Sequence, residues 1–570
     1  MASPSRWASL LTYVAVLLFL GLISYFLLVV PRAPLPLEAI AALASAVGGE
    51  GESHGDAWPA SRIHVSASPG ASLSAGDVAT FVKRLSGLLV AEGVEVVVAD
   101  GPPSSLVDLS ACVDGHYGAL EACLARQSDS DASPLGNDFA LLMAPAAEGQ
   151  KSALLLDADR GAVLRWSVAG DLWSLDSLAF ATATRLKETW FRRASFENTT
   201  TLFEVAPAYV FSFFLVGDCQ QRVAWDFRGG LLGPYLWRFL ERLRLLVDVE
   251  LDSQVVQCGS LGGSGSVVDA ATLQADFLRQ SGEWPSDTVT RDSRWLPPLV
   301  RFVAFKPTKP VRVVDDERRP QRSFAVQGWG VVSLVGAGGP APEQGGCADS
   351  PCRGDADGES GVRRADVVSP CEAQQAASAW ISSLRSWLTL PPDGPVAGSG
   401  DQGGALPLRA ARPSLDGIAS WELLLVSRAV HRRFLRRTVE TLENFAELVD
   451  SLPDVRVRAE IGAMVHEAAE LAKRSAALAS QGALPEALAA ARRALQLALS
   501  ASHDDTVVAE MYFSWEFRYA VYLPIGLPIL MPVLVALLRQ LFRAKDLRQA
   551  IRKASQAKKV DCADNAQEVT

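Results

Sequence analysis

The hydrophobic positions of this 570-residue chain follow three patterns along its length. Uncharged apolar runs lie near both ends, at Trp7–Val30 and Tyr519–Leu538, and each is long enough to cross a bilayer as one helix. Between them, short β-branched runs alternate with amphipathic helical segments, and helical periodicity dominates towards the C-terminus. The pattern predicts an α/β mixed-sheet domain followed by a C-terminal helical hairpin or bundle, with one transmembrane helix at each end.

The alternation of periods defines the individual elements. Strands are predicted at Arg62–Ser66, Glu95–Ala99, Phe139–Met143, Ala153–Leu156, Tyr209–Val216, Asp248–Val256, Leu299–Phe305 and Ala325–Val335. Helices are predicted at Ala75–Glu92, Trp173–Phe191 and Leu231–Leu246, and then from Ser414 to about His503. The last stretch breaks at Pro453 and at Gly482, which predicts two or three antiparallel helices. The order of strands in the sheet does not follow from the sequence.

Two segments rich in glycine and proline interrupt this alternation, and the longer one, 336–370, is predicted to be a disordered insertion. The predicted organisation is a cytoplasmic N-terminus (1–6), transmembrane helix 1 (7–30), a luminal α/β domain (31–412), a luminal helical segment (413–510), transmembrane helix 2 (519–538) and a basic cytoplasmic tail (539–570).

Charge orients these segments. Eight basic residues and one acidic residue lie between Leu538 and Val560, and a basic cluster beside a span favours the cytoplasmic face. Residues 31–518 carry 45 basic and 60 acidic residues, a net charge of −15, which disfavours nucleic-acid binding. The tail is interpreted as a stop-transfer segment that contacts lipid headgroups. A cleaved signal peptide is the alternative for the first span, but that span exceeds the usual apolar length and no clear cleavage site follows it.

Three prolines, Pro524, Pro528 and Pro532, recur every four residues in the second span. Each removes a backbone donor, and membranes tolerate this where neighbouring helices satisfy the freed carbonyls. The prolines are therefore candidates for packing against partner helices, and a single kinked anchor is the alternative.

Seven of the eight cysteines fall in the predicted luminal part, as expected for an oxidising compartment. The predicted local disulfides are Cys112–Cys123 and Cys347–Cys352, and an odd number leaves at least one thiol over. Asn198 begins the single glycosylation sequon, Asn-Thr-Thr.

Sequence motifs for catalysis are missing. The chain contains no phosphate loop, dinucleotide fingerprint, nucleophile elbow or zinc-type cysteine and histidine spacing. We therefore predict no catalytic, cofactor-binding or metal-binding residue. Carboxylates are plentiful and cannot be paired from sequence, so an independent luminal carboxylate-dependent glycan hydrolase stays an alternative. A cell-surface receptor or adhesion ectodomain is another.

Several segments, in this order, resemble those of the PIG-S family, a subunit of the glycosylphosphatidylinositol (GPI) transamidase of the endoplasmic reticulum. They are Tyr209–Val216, the Trp225-Asp226 step, the helix Tyr235–Leu246, Leu251-Asp252-Ser253-Gln254, Trp295–Phe305, Phe324–Leu334, Ser420-Trp421-Glu422-Leu423 and the proline-punctuated Phe517–Leu538. The resemblance covers about Tyr209 to Leu538 and is mainly architectural before that. We expect Trp225, Asp226 and Trp421 to serve as core anchors rather than contact residues.

The resemblance implies a non-catalytic luminal scaffold that supports attachment of GPI anchors to precursor proteins. In that family the nucleophilic cysteine and its histidine belong to another subunit, the caspase-like PIG-K. PIG-T, PIG-U and the GPI anchor attachment protein are the other implied partners, together with membrane lipid. The implied location is the endoplasmic reticulum membrane, with two spans, a luminal domain and both termini cytoplasmic.

Overall fold

A computed structural model describes most of the central part of the chain and part of its C-terminal segment. The described residues are 33–47, 61–68, 73–99, 136–146, 152–156, 160–167, 174–192, 205–219, 222–259, 267–269, 296–308, 311–314, 318–326, 328–335, 366–390, 406–410, 417–451, 457–505, 507, 524, 528, 531, 535, 538, 539, 542, 543 and 545–556. No helix among them is both long enough and apolar enough to cross a membrane. The predicted span 7–30 lies outside the described residues, as does most of 519–538.

The described elements are strands and helices that alternate over the first two thirds of the chain. The strands are β1 Ser61–Ala67, β2 Val94–Val98, β3 Asp138–Pro145, β4 Ala153–Leu156, β5 Gly161–Trp166, β6 Ala208–Asp218, β7 Val223–Ala224, β8 Asp248–Gly259, β9 Val267–Asp269, β10 Leu299–Lys306, β11 Arg312–Val314, β12 Pro320–Gln321, β13 Ser323–Val326, β14 Gly330–Leu334, β15 Asp366–Val367 and β16 Leu408–Ala410. The α-helices are α1 Leu37–Val47, α2 Ala75–Leu89, α3 Leu175–Glu188, α4 Trp237–Arg244, α5 Pro370–Trp387, α6 Ser420–Ser451, α7 Ala459–Ser480 and α8 Leu484–Ser502. A π-helix, Phe227–Leu236, leads into α4.

The first sheet has six strands in the order β16-β4-β5-β3-β1-β2. Strands β5, β3, β1 and β2 are parallel, and β4 runs antiparallel to β5. Six successive residues of β3, Phe139–Ala144, are buried, as expected for a parallel strand covered on both faces. Helix α6 is attached to this sheet because Arg428 donates hydrogen bonds to Asn137 Oδ1 (2.9 Å) and Ser61 Oγ (3.1 Å).

The second sheet has the order β13-β14-β10-β6-β8, in which all strands except β13 are parallel. On one face, Phe213 and Phe302 stack with their centroids 5.0 Å apart, and Trp380 of α5 covers both rings at 5.5 and 5.8 Å. Trp380 is fully buried. These rings fasten α5 to the centre of the sheet.

Helices α6, α7 and α8 form the predicted C-terminal helical part. Gly482 separates α7 from α8 at a φ of 84°, a left-handed conformation that glycine adopts without steric cost. A buried polar chain joins all three helices: His431 Nε2 lies 2.8 Å from Ser475 Oγ, which donates to the Ala487 carbonyl at 2.7 Å. Because the single hydroxyl hydrogen goes to Ala487, His431 Nε2–H is the donor to Ser475. Burial lowers the His431 pKa to about 4, with a further contribution from Arg432.

The chain divides into two compact units. The larger contains residues 34–446 and 460–502, with both sheets. The smaller contains residues 1–33, 447–459 and 503–570. Within the smaller unit, Arg458 binds the buried Asp504 at 3.3 Å, and the Ala33 N–H donates to the Val457 carbonyl at 3.1 Å.

Most predicted strands and helices are confirmed, and the structure adds helix α1 and strands β5, β7, β9, β11, β12, β15 and β16, which the sequence pattern did not predict. The segment Ala325–Val335, predicted as one strand, is wrong as such: it forms the antiparallel strands β13 and β14, because the chain turns at Gly328, where φ is 68°. Helix α5 was not predicted. The predicted disordered insertion 336–370 overlaps ordered structure at its end: Asp366–Val367 form β15, Ser369 is the N-cap of α5, and Pro370 is the first residue of α5.

Candidate functional site

The strand order of the second sheet reverses between β6 and β10. From β6 the chain passes to β8 on one side, and from β10 it passes to β14 on the other. In open α/β sheets, ligands and partners bind at the carboxyl ends of the strands at such a switch point. We therefore built the candidate site from the residues at the ends of β6 and β10.

Lys306, the last residue of β10, is the charged centre of this edge. Its side chain is 10% exposed and lies 2.9 Å from Asp366 Oδ1 and 3.2 Å from Glu372 Oε1. Glu372 also accepts a hydrogen bond from the Ser369 N–H at 2.8 Å, which completes a capping box at the start of α5. Both carboxylates are engaged by Lys306, so the cluster fixes β15 and α5 to the end of the sheet.

A second set of contacts closes the edge beside β6. Thr308 donates a hydrogen bond to the Asp218 carboxylate, and the neighbouring Cys219 forms a disulfide with Cys258 at the end of β8. The Gln257 amide makes two hydrogen bonds with the Val223 backbone, at 2.9 and 3.1 Å, and so holds β7 in place. The edge is cross-linked covalently and by hydrogen bonds, which suits a rigid surface.

A buried ion pair supports the same sheet from α6. Glu422 is fully buried and accepts two hydrogen bonds from Arg385 of α5, at 2.7 and 3.0 Å. Its carboxylate also accepts the Ala419 N–H at 2.9 Å, and Arg385 donates to the Gly417 carbonyl as well. The pair therefore joins α5, the turn before α6, and α6 itself.

The segments that resemble a known family occupy structural positions in the second sheet and in the elements next to it in the chain. Asp226 caps the π-helix by accepting the Gly229 N–H at 2.9 Å, and it is exposed, so the prediction that it is a core anchor is wrong. Trp225 is half-buried and packs on Phe227 with ring centroids 5.5 Å apart. Asp252 accepts a hydrogen bond from the Ser212 hydroxyl at 3.1 Å, across the β6–β8 pair. Trp421 is 5% exposed, which confirms that it is a core anchor.

The Trp-Gly centre of another such segment sets the spacing of β10 and β14. A β-carbon on Gly330 would overlap the Arg301 carbonyl group, so only glycine fits there. The Arg301 guanidinium lies over the Trp329 ring, with 5.3 Å between Arg301 Cζ and the ring centroid. Burial lowers the pKa of Arg301 from its usual value.

Most predicted site residues lie outside the described part of the chain. These are Asn198, Cys112, Cys123, Cys347, Cys352 and Pro532. Pro524 and Pro528 are described and are helical and exposed. Within the described residues, no group of three or more histidine, cysteine, aspartate or glutamate side chains could hold a metal ion.

The sequence-based reasoning missed two links at this site. Cys219 and Cys258 follow the ends of consecutive predicted strands, and consecutive parallel strands are commonly neighbours, so their pairing was accessible from the sequence. The Arg385–Glu422 pair was not accessible, because α5 was not predicted and the two residues are 37 positions apart.

Comparison with known proteins gives a consistent result. A family model described as Phosphatidylinositol-glycan biosynthesis class S protein, PIG-S, matches residues 171–546. A Rattus norvegicus protein named GPI-anchor transamidase component PIGS is 22% identical over 313 residues, which are 53% of this chain and 51% of that protein. A Bos taurus protein of the same name is 28% identical over 115 residues, 20% of each chain. The chain thus spans about half the length of the rat relative and about a fifth of the length of the bovine relative.

The matched range 171–546 is more than half of the chain and includes both strands of the switch point, their cross-links and helices α5 to α8. On this basis, the chain belongs to the PIG-S family.

Proposed function

We propose that this protein is a non-catalytic luminal scaffold subunit of the GPI transamidase, which attaches GPI anchors to precursor proteins in the endoplasmic reticulum. The observation that carries the proposal is the family match over residues 171–546, together with relatives named as components of that transamidase. The matched range includes the second sheet and the helices that support it.

The roles of the charged residues in the second sheet and its supporting helices favour a scaffold over an enzyme. Glu422 and Arg385 form a buried ion pair, and Lys306 is bound by two carboxylates. Asp226 caps a helix, and Asp252 accepts a hydrogen bond across two strands. Each of these side chains makes a contact within the chain that holds its own structural elements together. A hydrolase of the glycosidase type instead needs two carboxylates that face a substrate.

The compartment and topology belong to the same proposal. The Cys219–Cys258 disulfide is of the kind that persists in the lumen of the endoplasmic reticulum. We propose two membrane spans, 7–30 and 519–538, with both termini cytoplasmic and the α/β domain luminal. Glycosylation of Asn198 would support this topology. The pairs Cys112–Cys123 and Cys347–Cys352 would add further luminal disulfides.

The proposed partners are the caspase-like PIG-K, PIG-T, PIG-U and the GPI anchor attachment protein, with catalysis on PIG-K. Replacement of Pro524, Pro528 and Pro532 by leucine should straighten the last helix and weaken complex assembly more than membrane insertion. Equal recovery of partners with the variant would count against a packing role for the prolines.

The deciding experiment is purification of the tagged full chain in mild detergent at native expression, followed by mass spectrometry. Recovery of a caspase-like cysteine protease subunit with multispan membrane proteins supports the proposal. Recovery of the chain alone would overturn it and return attention to the alternatives, a luminal glycan hydrolase or a cell-surface receptor. Family membership disfavours both alternatives.

A further inference from the structure

The described C-terminal residues 545–556 form a helix whose every residue is exposed. Four are basic and one is acidic, Asp546. The basic residues are Lys545, Arg548, Arg552 and Lys553. None of their side chains makes an ion pair or hydrogen bond with another residue in the part of the chain that the structure describes. This helix therefore presents a positive surface that is not neutralised by the described residues.

The same helix exposes an apolar strip. Leu547 and Ile551 are 63% and 60% exposed, and because they are four residues apart they lie on one face. At about 100° per residue, Ala550 and Ala554 fall on the same side, whereas the four basic residues lie across the opposite side. The helix is therefore amphipathic, with large apolar side chains in water.

This combination has a specific physical match. A helix with leucine and isoleucine on one face and lysine and arginine on the other binds in the interface of a membrane, where its cations meet anionic headgroups. The long basic side chains extend towards the headgroups while the apolar strip enters the acyl boundary. Two apolar side chains offer too small a core for a stable protein interface, which usually buries about 800 Å² on each partner.

We propose that helix 545–556 lies on a membrane surface and binds anionic lipid headgroups through Lys545, Arg548, Arg552 and Lys553. Each basic residue near an anionic surface contributes roughly a fivefold gain in affinity. The attraction depends on ionic strength, because the charges are exposed and salt screens them.

The test uses the full chain, reconstituted in nanodiscs of phosphatidylcholine alone or of phosphatidylcholine with phosphatidylserine. Hydrogen exchange of residues 545–556 is measured in both by mass spectrometry. We expect exchange to be roughly tenfold slower in the anionic discs, and the difference to disappear at high salt.

Two variants separate lipid binding from a purely structural role. Lys545→Gln, Arg548→Gln, Arg552→Gln and Lys553→Gln together should abolish the protection in anionic discs, since glutamine keeps the helix propensity and removes the charge. The matched control exchanges the cations, Lys545→Arg, Arg548→Lys, Arg552→Lys and Lys553→Arg, and should keep the protection. A membrane surface responds to charge, whereas a bidentate protein contact would not tolerate the exchange.

Equal exchange in neutral and anionic discs would overturn the proposal. Protection in anionic discs that survives the four glutamine substitutions would overturn it as well, because the protection would then not depend on the cations. The inference rests on the proposed topology, in which this helix follows a membrane span, but the test uses the chain without other subunits, so its outcome does not depend on the proposed partners.

Discussion

Removing the buried negative charge of Glu422 should be among the most destabilising single changes in the described part of this protein. Glu422→Gln keeps the size of the side chain but leaves the Arg385 guanidinium buried, 4% exposed, without a counter-charge. The glutamine N–H₂ would also face the guanidinium donors. Breaking one side of such a buried pair costs about 3–5 kcal/mol.

The loss of stability in Glu422→Gln should be greatest in α5 and α6, because the Arg385–Glu422 pair joins these two helices. We therefore expect amide hydrogen exchange in both helices to accelerate roughly 10²- to 10⁴-fold in the purified full chain. Hydrogen exchange suits a chain with more than one compact unit, since a single melting temperature need not describe it. Glu440→Gln on the exposed side of α6 is the matched control, and should change stability by less than about 0.5 kcal/mol.

The double variant Arg385→Met with Glu422→Gln tests the reason for the loss. It removes both charges and keeps an amide oxygen that can accept the Ala419 N–H. It should therefore be more stable than Glu422→Gln alone. A loss below about 1 kcal/mol in Glu422→Gln, or a double variant worse than both single variants together, would refute the buried-pair reasoning.

Three further predictions concern other parts of the structure. The folded-state pKa of His431 is about 4, below the ordinary value of 6.5. The imidazole therefore takes up a proton more readily in the unfolded chain, so its contribution to the free energy of unfolding is complete above pH 6.5 and should be lost as the pH falls towards 4. The full loss is about 3 kcal/mol, and urea unfolding should show a weaker pH dependence in His431→Gln. Cys219→Ser removes the Cys219–Cys258 disulfide and should destabilise the chain by about 2–4 kcal/mol. In the unmodified chain, peptide mapping without reductant should recover a linked peptide that contains both cysteines. The absence of that peptide would disprove the disulfide. Gly330→Ala should cost about 1–3 kcal/mol, since the new methyl group meets the Arg301 backbone. Amide hydrogen exchange in β10 and β14 should therefore become faster, and unchanged exchange there would contradict that close approach.

Local pattern was sufficient for the elements that carry their own signal. The run Tyr209–Val216 is apolar apart from Ser212 and rich in β-branched and aromatic residues, and it is the buried centre of β6. The break between α7 and α8 at Gly482 was also predictable, because glycine is the residue that adopts a positive φ most easily. Helix α5 escaped detection because its sequence follows a polar, glycine-rich stretch and its alanines and serines give a weak apolar period.

The sequence by itself determined the class of the fold, the helical C-terminal part and the family, because each depends on side-chain order along the chain. Strand order, the partners of Lys306 and Glu422, and the meeting of Cys219 with Cys258 were decided only by the tertiary structure. These contacts join residues that are 37 to 66 positions apart, and local periodicity carries no information about which distant elements become neighbours. The lysine between two carboxylates at the switch point, and the buried arginine–glutamate pair between α5 and α6, therefore emerged from packing.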